Sequence, residues 1–284
     1  MANNISPLSH VHPNARIGND VTIGPFCLIG ENVELGDRCV LDSHVTLTGH
    51  TTIGADNRFF PNSVIGGEPQ DSAYVESPTR VVIGNHNVFR EGVTVHRGAE
   101  KEDHTTWIGD NNAFFANAHV AHNCRVFNNV ILVNGVLLGG HVHVQDRAIV
   151  SGNTVVHHFT TVGTLAFISG GGRVVRDVPP YMLGAGNDRF TIKTVNTVGM
   201  QRSGISSEAI LIIRKACRLL TKRNMEPGAI RIQLASENET LPPELDTLLN
   251  AVEYTRQGKN GRGREQVRDL PDTPPGDSKL RKAV

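Results

Sequence analysis

The chain has 284 residues, with 28 basic and 28 acidic side chains and a formal net charge of zero. That balance argues against nucleic acid or an anionic membrane surface as the main partner. No apolar run is long enough to span a bilayer, and the polar start MANNISPLSH lacks the apolar core of a signal peptide. Aromatic residues make up 5% of the chain against 29 glycines, so a core of large rings is not expected. Cys27, Cys39, Cys124 and Cys217 form no CxxC pair, which points away from a disulfide framework and toward a reducing cytoplasm.

The first element in chain order is a repeat. Every sixth residue from Val11 through Ile17, Ile23 and Ile29 to Ile65 is large and apolar. The series resumes at Ile83, Phe89 and Val95, and again from Ile108 through Phe114 and Val120 to Val174. A helix repeats at about 3.6 residues and a half-buried strand at about 2, so this period belongs to a flat-sided solenoid of short strands and turns. Small or branched residues (Val21, Cys27, Cys39, Cys124, Val130) stand four places after each aliphatic and should point inward beside it. Glycine often follows the aliphatic, as at Gly18, Gly24, Gly36, Gly54 and Gly84, where a corner of positive φ would explain it.

Two stretches break the ladder: residues 66–82, GGEPQDSAYVESPTRVV, and residues 97–106, RGAEKEDHTT. Both read as loops thrown out from the solenoid, candidates for holding a substrate. Pro179 and Pro180 stop the strand ladder. Ser206 or Ser207 can cap a helix with Ile210, Ile213, Cys217 and Leu220 on one stripe. A second helix can begin at Pro242 or Pro243 and carries Leu245, Leu248, Leu249 and Val252. The expected organisation is a solenoid over 1–186, a helical domain over 187–257 and a disordered, solvated tail over 258–284.

The histidines fall on this frame. His122 lies two places beyond the inward Val120 and should face outward. His141 and His158 follow it by roughly one and two coils, with His157, His119 and His96 nearby. Histidines on three stacked layers make a functional cluster. It supports either a zinc site shared across a subunit interface, as in γ-class carbonic anhydrases, or a neutral imidazole acting as general base.

The hexad pattern resembles the left-handed parallel β-helix acyltransferases, in which three hexads complete one triangular coil and layers lie about 4.8 Å apart. NAHVAHNC, LLGGHV, VVHHF, EPQDSAY, PTRVVIG, VTVHRG and RDVPPYMLGAGN, in that solenoid, resemble the acyl-ACP–UDP-N-acetylglucosamine O-acyltransferases that start lipid A synthesis. The resemblance implies an all-β left-handed parallel β-helix with a small α-helical C-terminal domain, assembled as a homotrimer with active sites between subunits. It implies transfer of a 3-hydroxyacyl chain from the acyl carrier protein thioester to the 3-hydroxyl of the UDP-sugar, with no metal and no cofactor beyond that thioester.

By the same resemblance His122 is the general base, and the Gly140 N–H faces the developing oxyanion. Asp71, His96, His119, His141 and His157 line the sugar, phosphate and acyl pockets. Asn196 and Arg202 form part of the nucleotide site, and Gly170 stands at the position that limits acyl length. The chain departs from the family pattern where Asn123 replaces an aspartate after the base, Ala73 a lysine, His158 a glutamine, Ser203 an arginine and Val198 an acidic residue. N-acylation of an amino-sugar nucleotide on the same scaffold is the near alternative, and a zinc hydratase the distant one.

Overall fold

The computed structural model describes residues 2–271. It contains 28 strands, most only two residues long, arranged in three sheets of 11, 9 and 8 strands. Each turn of the chain contributes one strand to each sheet, and almost all pairing is parallel, as between Thr22–Ile23 and Val40–Leu41. Backbone and side-chain bonds link residues 18 apart, such as Asn128 and Asp146. Three hexads therefore complete one coil.

Burial follows the period. Ile23, Leu41, Leu132 and Val150 are at most 1% exposed, and the intervening Cys27, Cys39 and Cys124 at most 2%. The cysteines are small core residues, all free and buried. The scarcity of aromatics does not keep rings out of the core. Phe59, Phe89 and Phe114 occupy one hexad position in successive coils and stack face to face with centroids 4.8 and 4.7 Å apart.

The glycines have a different cause from the one expected. Gly18, Gly36, Gly54 and Gly84 are absent from the positive-φ positions; those fall two residues later, on Asp20, Arg38, Asp56 and His86. What excludes a side chain is the next coil. A Cβ on Gly54 would lie 2.5 Å from Asn85 Oδ1 and 2.6 Å from Gly84 O. Those carboxylates and amides bind the coil before them: Asn85 Oδ1 accepts from Ala55 N–H, and Asp110 Oδ1 from Asn85 N–H.

The interruptions are narrower than the sequence suggested. Strands Val64–Gly67 and Arg80–Ile83 leave a loop of 68–79, and Thr94–His96 and Thr105–Ile108 leave one of 97–104. The solenoid then ends as a hairpin. Met182–Ala185 pairs parallel with Phe167–Ile168, and Thr191–Val195 returns antiparallel beside it.

Four helices follow, α1 (Thr197–Arg202), α2 (Ser207–Arg223), α3 (Pro227–Glu237) and α4 (Pro243–Gln257). Ser206 caps α2 by accepting from Ala209 N–H at 3.1 Å, and Pro243 opens α4. The stripes read from sequence are the buried ones: Ile210, Ile213 and Cys217 on α2, and Leu245, Leu248 and Leu249 on α4. The hairpin, α1 and α3 were not anticipated.

The expected tail needs correction over 258–271. Gly263–Asp269 is a 3-10 helix, and Arg262 and Glu265, 6% and 5% exposed, pair with each other. Asp177 Oδ2 accepts from Gly263 N–H at 2.7 Å and Thr255 Oγ1 at 3.0 Å, which ties this segment to the solenoid. Composition suggested solvation because the segment lacks an apolar pattern; hydrogen bonds from Gly263 and Arg262 and the Arg264–Glu102 ion pair hold it to the solenoid instead. Residues 272–284 of the expected tail lie outside the described residues.

Phe89→Ala removes the middle ring of the stack and should cost about 3–5 kcal/mol, because neighbouring coils cannot collapse into the space without breaking register. A drop in the urea midpoint at unchanged m-value would report it.

Candidate active site

Both loops and the histidines meet at one edge of the prism, the corner between the 9-stranded and 8-stranded sheets. Three coils present their corners there as residues 121–124, 139–142 and 157–160. The backbone stacks them: His141 N–H donates to His122 O at 3.0 Å, and Phe159 N–H to Gly140 O at 3.1 Å. His122, Gly140 and His158 therefore share one position. Asn123, His141 and Phe159 share the next, each in the left-handed region with φ of 56°, 62° and 61°. His141 thus stands over Asn123 and not over His122, as an offset one residue longer than the coil requires.

That register makes room for His122. A Cβ on Gly140 would fall 2.5 Å from His122 Nε2, so the imidazole occupies the space a side chain would take. His122 Nδ1 lies 2.9 Å from Asn123 Oδ1. The Asn123 amide is oriented by its neighbours: Oδ1 also accepts from Ala99 N–H at 2.8 Å, and Nδ2 donates to Lys101 O at 2.9 Å. An oxygen so fixed can only accept, so His122 donates through Nδ1, and its neutral form holds the lone pair on Nε2. Asp71 Oδ2 stands 4.0 Å from that Nε2, too far for a direct hydrogen bond.

His141 meets His122 edge-on at 5.2 Å and stacks on Phe159 at 4.5 Å. Its Nδ1 lies 2.6 Å from Glu102 Oε2, and Arg264 Nη2 donates to Glu102 Oε1 at 2.6 Å. The Glu102 carboxyl is held down to about 2: burial works against the charged form, and the His141 bond and the Arg264 charge outweigh it. Burial pushes His141 itself below the ordinary histidine range despite that carboxylate. Neither Glu102 nor Arg264 was singled out from sequence. Glu102 sits in a run of charged loop residues with no spacing signal, and its partner is 162 residues away.

His119 Nδ1 lies 2.7 Å from Thr94 Oγ1, and its ring meets His96 edge-on at 4.8 Å. His96 is pushed down to about 4 by burial and then by the His119 and His122 charges. The two loops brace this side. Glu100 Oε1 accepts from Ser77 Oγ at 2.7 Å and Val75 N–H at 3.2 Å, and Arg97 Nη2 donates to Tyr74 Oη at 3.1 Å. Asp71 itself closes a turn by accepting from Ala73 N–H at 3.0 Å.

The Gly140 N–H is engaged, donating to His158 Nδ1 at 2.9 Å. His158 must therefore be neutral at that nitrogen, in keeping with burial, which lowers its pKa. His157 Nδ1 donates to His158 O at 3.0 Å.

Three expected residues lie elsewhere. Gly170 belongs to residues 169–172, the corner between the 11- and 9-stranded sheets, so the chain does not bring it beside its own His122. Asn196 caps α1, accepting from Gly199 N–H at 3.0 Å, and its Nδ2 donates to Leu165 O at 2.9 Å. Its side chain thereby joins the helices to the solenoid. Arg202 is exposed in the last turn of α1. Among the described residues no three His, Cys, Asp or Glu side chains are placed to hold a metal ion.

A parallel β-helix with a histidine-lined corner, inserted loops and no metal-holding cluster among the described residues fits the class of hexapeptide-repeat transferases. The bacterial transferase hexapeptide model matches residues 14–49, and the second-domain model of UDP-N-acetylglucosamine O-acyltransferase matches 177–263. The chain is 41% identical over 254 residues to the acyl-[acyl-carrier-protein]–UDP-N-acetylglucosamine O-acyltransferase of Stutzerimonas stutzeri, covering 89% of this chain and 98% of the relative. LpxA from Acinetobacter baumannii superposes with a TM-score of 0.85 at 35% identity, covering 91% of this chain and 98% of that one. The UDP-N-acetylglucosamine acyltransferase of Francisella novicida gives 0.81 at 36% identity, covering 88% and 91%. The chain belongs to the acyl-ACP–UDP-N-acetylglucosamine O-acyltransferase family.

Two outcomes test this geometry. His96 is neutral in the folded chain down to about pH 4, whereas in the unfolded chain it takes up a proton near ~6.5. The unfolded state then binds more protons, so stability is full above that upper value and declines as pH falls toward 4. His96→Gln should flatten part of that decline in urea midpoints measured across the window. Asn123→Asp should move the acidic limb of the pH–rate profile to higher pH by placing a carboxylate beside the base. It should also loosen the 97–104 loop, because a carboxylate cannot donate to Lys101 O; faster amide exchange in that loop would report it.

Proposed function

We propose that this chain transfers a 3-hydroxyacyl group from an acyl carrier protein thioester to the 3-hydroxyl of UDP-N-acetylglucosamine, the first step of lipid A synthesis. The observation that carries the reading is His122: a buried imidazole whose Nδ1 proton is fixed by Asn123, leaving the Nε2 lone pair open beside Asp71 and the Cβ-free Gly140. Nε2 takes the proton of the sugar hydroxyl as its oxygen attacks the thioester carbonyl. The carbonyl oxygen gains charge, and the Gly140 N–H is the donor placed for it once His158 releases that bond. Collapse expels the carrier's thiol, which recovers a proton from His122. Asn123 offers no charge to stabilise the imidazolium, so Asp71, 4.0 Å from Nε2, is the carboxylate nearest the transient cation. The reaction needs no cofactor beyond the donor's thioester.

His96, His119, His141 and His157 are read as substrate contacts, and Asn196 and Arg202 as neighbours of the nucleotide. Asn196 supports that site by its position, since its side-chain groups are already bonded. Homotrimeric assembly is supported by the outer face of the 9-stranded sheet, where Leu28, Leu137 and Val155 are 46%, 44% and 46% exposed. It also explains how Gly170 can limit acyl length, since another subunit's corner can approach a base that its own cannot. Free buried cysteines suit a reducing cytoplasm, and no helix of the described residues is long and apolar enough to cross a membrane. The relatives' names specify O-acylation, so the amino-sugar and hydratase readings gain no support from them.

Incubation with acyl-ACP species and UDP-N-acetylglucosamine, read by product mass, tests the reaction. His122→Ala should lower kcat by about 10²–10⁴-fold while leaving the sedimentation of the assembly unchanged. Near-normal kcat would remove His122 from the chemistry, and a stable monomer at micromolar concentration would remove the trimer.

A further inference from the structure

The reading above uses His141 but leaves its partners without a role. Glu102 bridges two groups with its two oxygens: Oε2 meets His141 Nδ1 and Oε1 meets Arg264, both at 2.6 Å. The match to the second-domain family model ends at Gly263, one residue before Arg264. The arginine therefore comes from a segment outside that match, delivered by the 3-10 helix Gly263–Asp269. The delivery is firm. Asp177 holds Gly263, Arg262 donates to Val175 O at 2.5 Å, and Lys101 Nζ donates to Arg268 O and Leu270 O at 3.1 and 2.7 Å. The last two bonds clamp the segment to the same 97–104 loop that carries Glu102.

We propose that Arg264 is a positioning residue for acyl transfer, neutralising Glu102 so that its carboxylate orients His141 without charging it and leaves His141 Nε2 as a hydrogen-bond acceptor facing substrate. The inference rests on the acyltransferase reading for its consequence, not for its geometry. An ionised carboxylate can only accept, so His141 donates through Nδ1 and, when neutral, offers a lone pair on Nε2. A bare carboxylate at 2.6 Å would draw a second proton onto a buried imidazole. The guanidinium on the carboxylate's other oxygen opposes this, and the burial of His141 opposes it too. A charged His141 would lose its acceptor and put a positive charge 5.2 Å from the base ring. The other ionisable groups facing this unit are His122 from the coil before, His158 from the coil after, His143 at the start of the strand that follows, and Arg125 and Cys124 beside them.

The test uses the full chain labelled with 15N-histidine and titrated without substrate between about pH 5 and 8, beside acyl-transfer kinetics. In the parent chain His141 should be neutral at pH 7 with its proton on Nδ1. In Arg264→Ala its titration midpoint should move upward, and kcat/KM should fall about tenfold, the scale of a lost charge-assisted contact. Arg264→Lys should restore most of both. Arg264→Ala combined with Glu102→Gln removes both charges and should return the midpoint toward its parent value; it also serves if the single variant does not fold. An unmoved His141 midpoint in Arg264→Ala, or a midpoint in the double variant that stays raised, would overturn the proposal. If the parent chain makes no acylated UDP-sugar while the midpoint still moves, the reaction assignment fails and the positioning of His141 stands.

Discussion

The backbone hydrogen bond from one coil to the coil below is the constraint on which everything else in this chain rests. A parallel coil with an 18-residue offset repeats each side-chain direction once per layer, so a position chosen in one coil is fixed in the next. The phenylalanine stack, the Asn and Asp ladder, and the histidine corner are the same rule applied to apolar, amide and ionisable groups. The two loops leave from a single corner and return to the register they left, since Val64 pairs with Thr94 and Thr94 with His119. The chain thus adds irregular backbone to one edge and keeps the core unchanged. The site is irregular where substrate must bind and rigid directly beneath.

At that edge two histidines lie one place apart in adjacent layers and receive different treatment. His122 is held by a neutral amide, which fixes which nitrogen carries the proton and adds no charge. His141 is held by a carboxylate that is itself held by a guanidinium, so the net charge behind it is small. Both arrangements set which nitrogen donates while adding little net charge beside the ring. Burial acts in the same direction on His96, His119, His141 and His158. The corner therefore gathers several imidazoles without accumulating the positive charge that would keep a base from accepting a proton.

The period of six was enough to read the solenoid, most of its inward residues and the two interruptions, because the every-sixth place is apolar in coil after coil; the second inward place also admits Asn57, Asn87 and Asn112, whose amides bond from one coil to the next. The caps at Ser206 and Pro243 were legible for a similar reason, since the demands of a helix start are local. Glycine was misread because the corner demands two things at neighbouring places: positive φ at Asp20 and Asp56, and absence of a side chain at Gly18 and Gly54. Sequence shows the glycine and hides the conformation. The layers of His122, His141 and His158 were legible because their spacings lie within one residue of whole coils. Glu102 and Arg264 carried no local signal, and a contact across 162 residues exists only once the last helix has docked. The short α3 and the hairpin after Pro180 follow from packing against elements already formed.

The hairpin that ends the solenoid has a consequence for how the chain behaves in a crowd. A parallel stack exposes at its last coil the same row of donors and acceptors that held the coil before, and such an edge invites another chain to add on. Here the 11-stranded sheet reverses direction at its final strand, Thr191–Val195, and α2 packs against that strand. An incoming coil meets an antiparallel edge already covered by a helix. The reversal keeps a further parallel coil from continuing the 11-stranded sheet at this end of the prism.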